Sequence, residues 1–214
     1  ISGSYPTAAI NRYAEGDKIA FGLNYGDDYI DAVAKMLSNV IDASNEEVPS
    51  FVKLGISSSY NNGKLTFTVY GQGVEGAAQL LKGATLTNYI TQDGLVSKQA
   101  NGTTPFNGFK YDKTFKHENV LRAVVTNSSV AGDVITWDGD NFTMSYEYDV
   151  PANWKATADK LRLTSFVSMP FWDGKSTITY QGAQYPKLND DIYSYWVNQC
   201  ETLQLNQSAS TGVK

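Results

Sequence analysis

The chain has 214 residues, a formal net charge of −5, one histidine and one cysteine. This length is enough to bury a substantial core in one elongated domain or two small ones. The acidic balance argues against a nucleic-acid surface, because phosphate binding needs clustered Lys and Arg. A single cysteine excludes an internal disulfide and a zinc–thiolate site, and a single histidine excludes a histidine-rich metal centre. We therefore expect no metal and no cofactor.

Residues 1–48 differ in character from the rest of the chain. The opening "ISGSYPTAAINR" predicts a turn that contains Pro6, followed by a short strand. A helix is predicted next, with Asp27 or Asp28 as its N-cap and with Pro49 beyond its end. The apolar positions that recur at helical spacing are Ile30, Val33, Ala34, Leu37 and Ile41. This α/β segment is too small to form a domain alone.

No segment of the sequence predicts membrane insertion or secretion. None reaches the ~18 consecutive apolar residues that a membrane helix needs. The chain does not begin with Met, and its start has neither the basic nor the apolar region of a signal peptide. We therefore expect an internal piece of a longer polypeptide, with any targeting or lipid-anchoring segment upstream.

From residue 49 to residue 206 the hydrophobic period is two, which predicts β-strands. Asn62-Gly63 supplies the positive φ angles of a first tight hairpin, and a second hairpin is predicted in "DVITWDGDNFTMSYEYDV". Further strands are predicted in "ATLTNYI", "HENVLRAVVT", "KLRLTSFVSM", "STITYQ" and "DIYSYWVNQCETLQL". This spacing is typical of an antiparallel β-sandwich of the Ig-like or jelly-roll-like kind. The fold predicted is mainly β, preceded by the small α/β fragment and followed by a polar tail at residues 207–214.

Nucleophilic catalysis would have to use His117 as its base. No "GxSxG" segment is present, and Cys200 lies in the middle of a strand, where we expect a buried structural thiol. His117 stands at the start of a strand and is expected to hydrogen-bond to a loop. The chain is therefore predicted not to be an enzyme, and no residue is assigned as catalytic.

Two pairs of carboxylates also allow a chemical interpretation. Asp138 and Asp140 offer oxygen ligands for Ca²⁺, but the spacing does not continue into a calcium loop, and a hairpin turn explains the same residues. Glu147 and Asp149 lie two apart on one strand and could act as acid and base. Ordinary solvent-facing alternation gives the same pattern.

Aromatic residues give the best indication of a binding site. Four of them lie in or beside turns of "MPFWDGKSTITYQGAQYP", where rings are left exposed: Phe171, Trp172, Tyr180 and Tyr185. Exposed rings stack on sugars or anchor a protein partner. The alternative is that Trp172 folds back over one end of the sandwich. We retain the four residues as candidates for binding a glycan or a peptide.

Three motifs, "YITQDGLVSKQ", "KHENVLRAVVT" and "VNQCETLQL", occur in this order along the chain. With them, roughly residues 51–205 resemble the outer-membrane-protein-28-related lipoproteins of Bacteroidetes. The matching residues are Asp93, Gly94, Val96 and Gln99 in the first motif, His117, Asn119, Val120, Leu121 and Arg122 in the second, and Val197 and Asn198 in the third.

The resemblance implies a protein lipid-anchored to the outer membrane, on its cell-surface or periplasmic face. It also implies that residues 1–48 are the tail end of a thioredoxin-like domain, with Pro6 as its cis-proline and any Cys-x-x-Cys upstream. His117, Asn119 and Arg122 would then be structural. Arg122 is expected to fork onto a loop carboxylate or carbonyls and so hold the preceding loop to the sandwich.

The function predicted is that of a binding or interaction module at the outer membrane. Its partners would be another surface protein, a glycan or a peptide, and the lipoprotein class suggests an accessory subunit of a nutrient-uptake transporter. The alternative is a thiol–disulfide protein, or a protein accessory to a hydrolase, whose active residues lie upstream of this chain.

Overall fold

The computed structural model describes residues 7–8, 21–22, 30–47, 49–100, 111–127, 132–170, 177–180, 183–186 and 195–205. Within these ranges the helices are α1 (Ile30–Glu47) and α2 (Ala77–Leu80). The strands are β1 (Thr7–Ala8), β2 (Phe21–Gly22), β3 (Val52–Asn61), β4 (Lys64–Gly73), β5 (Thr85–Gln92), β6 (Leu95–Val96), β7 (Gln99–Ala100), β8 (Tyr111–Asp112), β9 (Lys116–His117), β10 (Val120–Val124), β11 (Asp133–Val134), β12 (Asn141–Asp149), β13 (Leu161–Pro170), β14 (Thr177–Tyr180), β15 (Ala183–Pro186) and β16 (Tyr195–Gln204).

The N-terminal segment holds the predicted strand and helix together with one further strand. β1 pairs antiparallel with β2, and α1 then covers the positions at which apolar residues recur with helical spacing. Pro6 and the two candidate N-caps, Asp27 and Asp28, lie outside the described residues. The assignment to a thioredoxin-like domain stays a prediction.

Two antiparallel sheets enclose the core, so the predicted mainly β sandwich is confirmed. The larger sheet has the order β10-β5-β13-β16, with β11 also paired to β5, and the smaller sheet has the order β12-β4-β3. Alternate residues of both sheets are buried in one apolar cluster, as period-two strands require. Its members include Ile56, Leu65 and Val69 from the smaller sheet and Leu86, Ile90 and Leu163 from the larger.

The first hairpin is confirmed. β3 and β4 pair along their whole lengths, and Asn62 and Gly63 have φ of 49° and 83° at the turn. These left-handed angles cost glycine nothing and asparagine little.

The second predicted hairpin is wrong. The turn itself exists, because Asp138 and Asn141 form an antiparallel bridge around Gly139, which has φ of 58°. However, β11 before the turn pairs with β5 of the larger sheet, whereas β12 after it pairs with β4 of the smaller sheet. The two arms therefore join the two sheets, a choice that depends on tertiary pairing and not on the turn residues.

A small polar group is buried in the larger sheet. The Ser165 hydroxyl donates to Asn88 Oδ1 at 2.7 Å, and Asn88 Nδ2 donates to the Val125 carbonyl at 3.0 Å. Both side chains are fully buried, so these hydrogen bonds offset the cost of removing them from water. Burial and the neighbouring Asp133 charge raise the pKa of Tyr146, which keeps this core tyrosine neutral.

Asn198 ties the last strand to the entrance of the sandwich. The Phe51 backbone N–H donates to Asn198 Oδ1 at 3.1 Å, and Asn198 Nδ2 donates to the Pro49 carbonyl at 2.9 Å. Asn198 is only 8% exposed. This residue of the third motif therefore fixes where the chain leaves the N-terminal segment and enters β3.

Cys200 is exposed, which corrects the expectation of a buried thiol. It is opposite Phe166 in the pairing of β16 with β13. Phe166 does not belong to the apolar cluster between the sheets, and the positions of the pair on the other face, Leu163 and Leu203, do belong to it. The sequence alternation placed Cys200 on one face correctly, but that face is the one away from the core.

Gly71 gives a test of the packing between β4 and β12. It is opposite Phe142, and a Cβ added at Gly71 would overlap the Phe142 ring. We expect Gly71→Ala to lower the free energy of unfolding by about 1–3 kcal/mol, because the buried ring has to move. Urea denaturation measures this loss. Thr143→Ser, at an exposed neighbouring position of β12, should change stability by less than ~0.5 kcal/mol, and equal effects of the two variants would refute the packing argument.

Candidate functional site

The first two family motifs meet at the carboxylate of Asp93. Its Oδ2 accepts a hydrogen bond from Arg162 Nε at 2.8 Å, which is also an ion pair. Its Oδ1 accepts the backbone N–H of Asn119 at 2.7 Å. The Asp93 N–H in turn donates to the Lys160 carbonyl at 2.9 Å. One residue thus joins the ends of β5 and β13 to the turn that precedes β10.

A second carboxylate completes the connection in the opposite direction. Glu118 Oε2 accepts the backbone N–H of Gly94 at 2.9 Å. Asn119 and Gly94 have φ of 54° and 74°, so both turns use left-handed residues. The side chain of each turn therefore holds a backbone N–H of the other turn. We call Asp93, Gly94, Glu118, Asn119 and Arg162 the turn clamp.

Arg122 lies next to the turn clamp and makes different contacts from those expected. Its Nη1 donates to Gln92 Oε1, and its guanidinium carbon lies 4.5 Å from the centroid of the Trp154 ring. Gln92 Nε2 donates at 3.4 Å to the Trp154 carbonyl. Arg122 therefore holds a side-chain carbonyl and an aromatic face, whereas the nearby carboxylate of Asp93 is taken by Arg162.

His117 lies in β9, opposite Leu95 of β6. Its ring packs edge-on against Phe115, with 4.8 Å between the ring centroids. Its Nε2 is buried and has no hydrogen-bond partner in the part of the chain that the structure describes. The expected hydrogen bond to a loop is therefore not made by Nε2, and the ring contact is what the geometry shows.

The electrostatics of the turn clamp fit a structural role. The Asn119 backbone N–H, followed by the Arg162 guanidinium, holds the pKa of Asp93 below its usual range, so the carboxylate is charged at neutral pH. Across the described ranges, no group of three or more His, Cys, Asp or Glu side chains could hold a metal ion. Within the described residues, no helix is long and apolar enough to cross a membrane.

One carboxylate of each acidic pair considered from the sequence makes a structural contact. The Asp140 carboxylate accepts the backbone N–H groups of Gly76 and Ala78 at 2.9 and 3.0 Å, and these bonds lower its pKa. Glu147 pairs with Lys64 at 2.7 Å. Asp140 therefore joins the turn before β12 to the start of α2.

The four candidate aromatics fall at or beyond the limits of the description. Phe171 and Trp172 lie outside the described residues. Tyr180 and Tyr185 lie on the paired strands β14 and β15, where the register sets Tyr180 opposite Ala183 and Tyr185 opposite Ile178. The structure describes their backbone pairing only, and their role in binding stays a prediction.

A groove that the sequence interpretation missed crosses the smaller sheet on its outer face, away from the core. Its volume is about 370 Å³. Its borders are Ser57, Ser59, Thr66, Thr68, Ser145 and Glu147, which alternate with core residues along β3, β4 and β12. The polar residues that border the groove can be recognised in the alternating segments "ISSSY", "KLTFTVY" and "TMSYEY" once the pairing of these strands is known.

The turn clamp gives a prediction on pH dependence. Folding lowers the Asp93 pKa, so its contribution is complete above the unfolded value of about 3.9 and is lost as pH falls through the folded value. Asp93→Asn should lower the free energy of unfolding by about 1–2 kcal/mol at pH 7. The deficit should shrink in acid, as followed by urea denaturation between pH 7 and pH 2.5.

Asp159→Asn is the matched control, because Asp159 is well exposed and lies 3.8 Å from Lys160. It should have little effect at any pH. A deficit in Asp93→Asn that stays constant down to pH 2.5 would contradict the role assigned to the Asp93 charge.

His117 gives a second prediction. His117→Ala removes the ring contact with Phe115 and should lower the free energy of unfolding by about 0.5–1.5 kcal/mol. His117→Phe keeps a ring and removes the unpartnered Nε2, so it should be closer to the wild type in thermal melting. Unchanged melting of His117→Ala would show that the ring has no structural role.

Comparisons with known proteins bear on the family. The model of the family described as "Outer membrane protein Omp28" matches residues 2–170. Among solved structures, HBP35 of Porphyromonas gingivalis is similar, with a TM-score of 0.55 and 14% identity, over 91% of this chain and 51% of that one. This likeness shows the fold alone, and the chain spans about half of the neighbour's length. No curated protein matches the sequence.

The family match covers the turn clamp and the first two of the three motifs, so the predicted resemblance to this family is confirmed. Since the family model matches well over half of the sequence, the chain belongs to the Omp28 family of outer membrane proteins and is associated with the outer membrane.

Proposed function

We propose that the protein is a non-enzymatic, lipid-anchored binding module of the outer membrane. The observation that supports this proposal is the groove on the outer face of the smaller sheet. The residues that border it are polar, and four of them are exposed: Ser57, Ser59, Ser145 and Glu147. Small-molecule sites are concave and carry a few placed polar groups, as this groove does.

The membership of an outer-membrane family supports a role beside a transporter. In this proposal the protein is the accessory subunit of a nutrient-uptake complex, captures a nutrient in the groove, and contacts the transporter through another surface. The transporter is proposed by analogy with the class of outer-membrane proteins to which the chain belongs. The pairing of β3, β4 and β12 fixes the relative positions of the residues that border the groove.

Lipid anchoring is tested on the full-length protein with its native upstream sequence, produced in a Bacteroidetes host. Metabolic labelling with an alkyne fatty acid should mark the protein in the outer-membrane fraction. Replacing the anchoring cysteine of the upstream sequence by serine should remove both the label and the membrane association. A protein that is unlabelled, or that stays in the soluble fraction, would contradict the anchor.

The accessory role is tested by affinity purification from the same membranes in a mild detergent. An integral outer-membrane protein should co-elute in a fixed ratio. Val134→Asp, at an apolar side chain that is 66% exposed, offers a first variant for locating the contact surface. Elution of the protein alone under these conditions would refute the accessory role.

A further inference from the structure

The register of the smaller sheet aligns the outward side chains into rows that cross all three strands. Between the two rows that border the groove lie Ser58, Phe67 and Tyr146, which are opposite one another in the pairing. The rings of Phe67 and Tyr146 are buried and stacked on the core side, with centroids 5.1 Å apart. The floor of the groove is therefore fixed by the core beneath it.

One of the two rows that border the groove consists of hydroxyl side chains: Ser57, Thr68 and Ser145. Thr68 Oγ1 and Ser145 Oγ are hydrogen-bonded at 2.9 Å. Each hydroxyl has one donor and two acceptor sites, so the paired groups still have capacity for a ligand. This row presents several short, neutral hydrogen-bonding groups.

Tyr70 stands beside this row, and 40% of it is exposed. Its neighbours across the sheet are Gly55 and Thr143. Its hydroxyl donates to Ser57 Oγ at 2.5 Å, so the ring reaches the neighbouring strand β3, on which the residue opposite Tyr70, Gly55, has no side chain. A hydrogen bond at its tip therefore holds an exposed aromatic ring next to the hydroxyl row.

The charges on this face cancel. Lys53 and Lys64 are balanced by Glu147 and Asp149, and all four alternate outward on the same strands. Glu147, the one charged residue at the groove, is paired with Lys64. Such a surface gives no net attraction to an anionic or a cationic ligand.

We propose that this groove binds a neutral oligosaccharide, with one sugar ring stacked on Tyr70 and its hydroxyls bonded to Ser57, Thr68 and Ser145. This ligand class rests on the proposed binding function. A sugar has an apolar C–H face and a rim of hydroxyls, which match an aromatic ring beside a row of hydroxyls. A volume of about 370 Å³ suits a short stretch of such a chain.

The test is affinity electrophoresis of the purified 214-residue chain in gels that contain mannan, xylan, amylopectin or mixed-linkage β-glucan, with polygalacturonate as an acidic contrast. At least one neutral polysaccharide should retard the wild type. Tyr70→Ala should weaken the apparent affinity by about tenfold or more. Tyr70→Phe keeps the stacking face and should lose less than about threefold.

Two controls distinguish this site from other rings. Phe115→Ala removes an exposed ring away from the groove and should leave retardation unchanged. Trp172→Ala removes the aromatic residue predicted from the sequence to bind a ligand, and here it should also have no effect. Circular dichroism spectra and melting of Tyr70→Ala should match the wild type, which separates lost binding from lost folding.

The proposal is overturned if none of the four neutral polysaccharides retards the wild type, if polygalacturonate alone does, or if the loss follows Trp172 and not Tyr70. These outcomes can be distinguished from those that would contradict the proposed function. A protein that binds glycan but elutes alone from membranes loses the accessory role only. A protein that co-elutes with a membrane partner but ignores glycans loses the ligand class only.

Discussion

The geometry of the family motifs depends on the contacts that the charged carboxylate of Asp93 makes. It receives the Arg162 side chain and the Asn119 backbone together, so the ends of two neighbouring strands and a distant turn are held at one point. Glu118 makes the complementary bond to Gly94. Charge-assisted hydrogen bonds of this kind are short and directional. They join the Asp-Gly pair of the first motif to Glu118 and Asn119 of the second.

This arrangement changes the meaning of the single histidine. His117 is the only histidine that could act as a catalytic base. However, its ring packs against Phe115, and its backbone lies in a strand that pairs with β6. The residues around it serve to fix turns. The proposed binding surface lies elsewhere, on the outer face of the smaller sheet, where Ser57, Ser145 and Glu147 are exposed.

The sequence predicts local features of this fold well and tertiary pairing poorly. The period of two, the helix of residues 30–47 and the Asn62-Gly63 turn follow from backbone preferences and are present. The prediction of the second hairpin was wrong because a turn sequence does not determine which sheet each arm joins. The prediction that Cys200 is buried was wrong for a similar reason, since alternation does not determine which face of a strand is covered. The groove depends on the register of three strands, which is not readable from one sequence.

The position of Asn198 sets an order for the formation of this sandwich. Its side chain bonds to Phe51, 147 residues earlier, and β16, which contains it, pairs with β13 in the larger sheet. Contacts of such long sequence separation form slowly, because a long loop must close first. During synthesis β3 and β4 can pair early, but β13 stays without one neighbour until the last strand emerges. The finished domain is thus held back until β16 has been made.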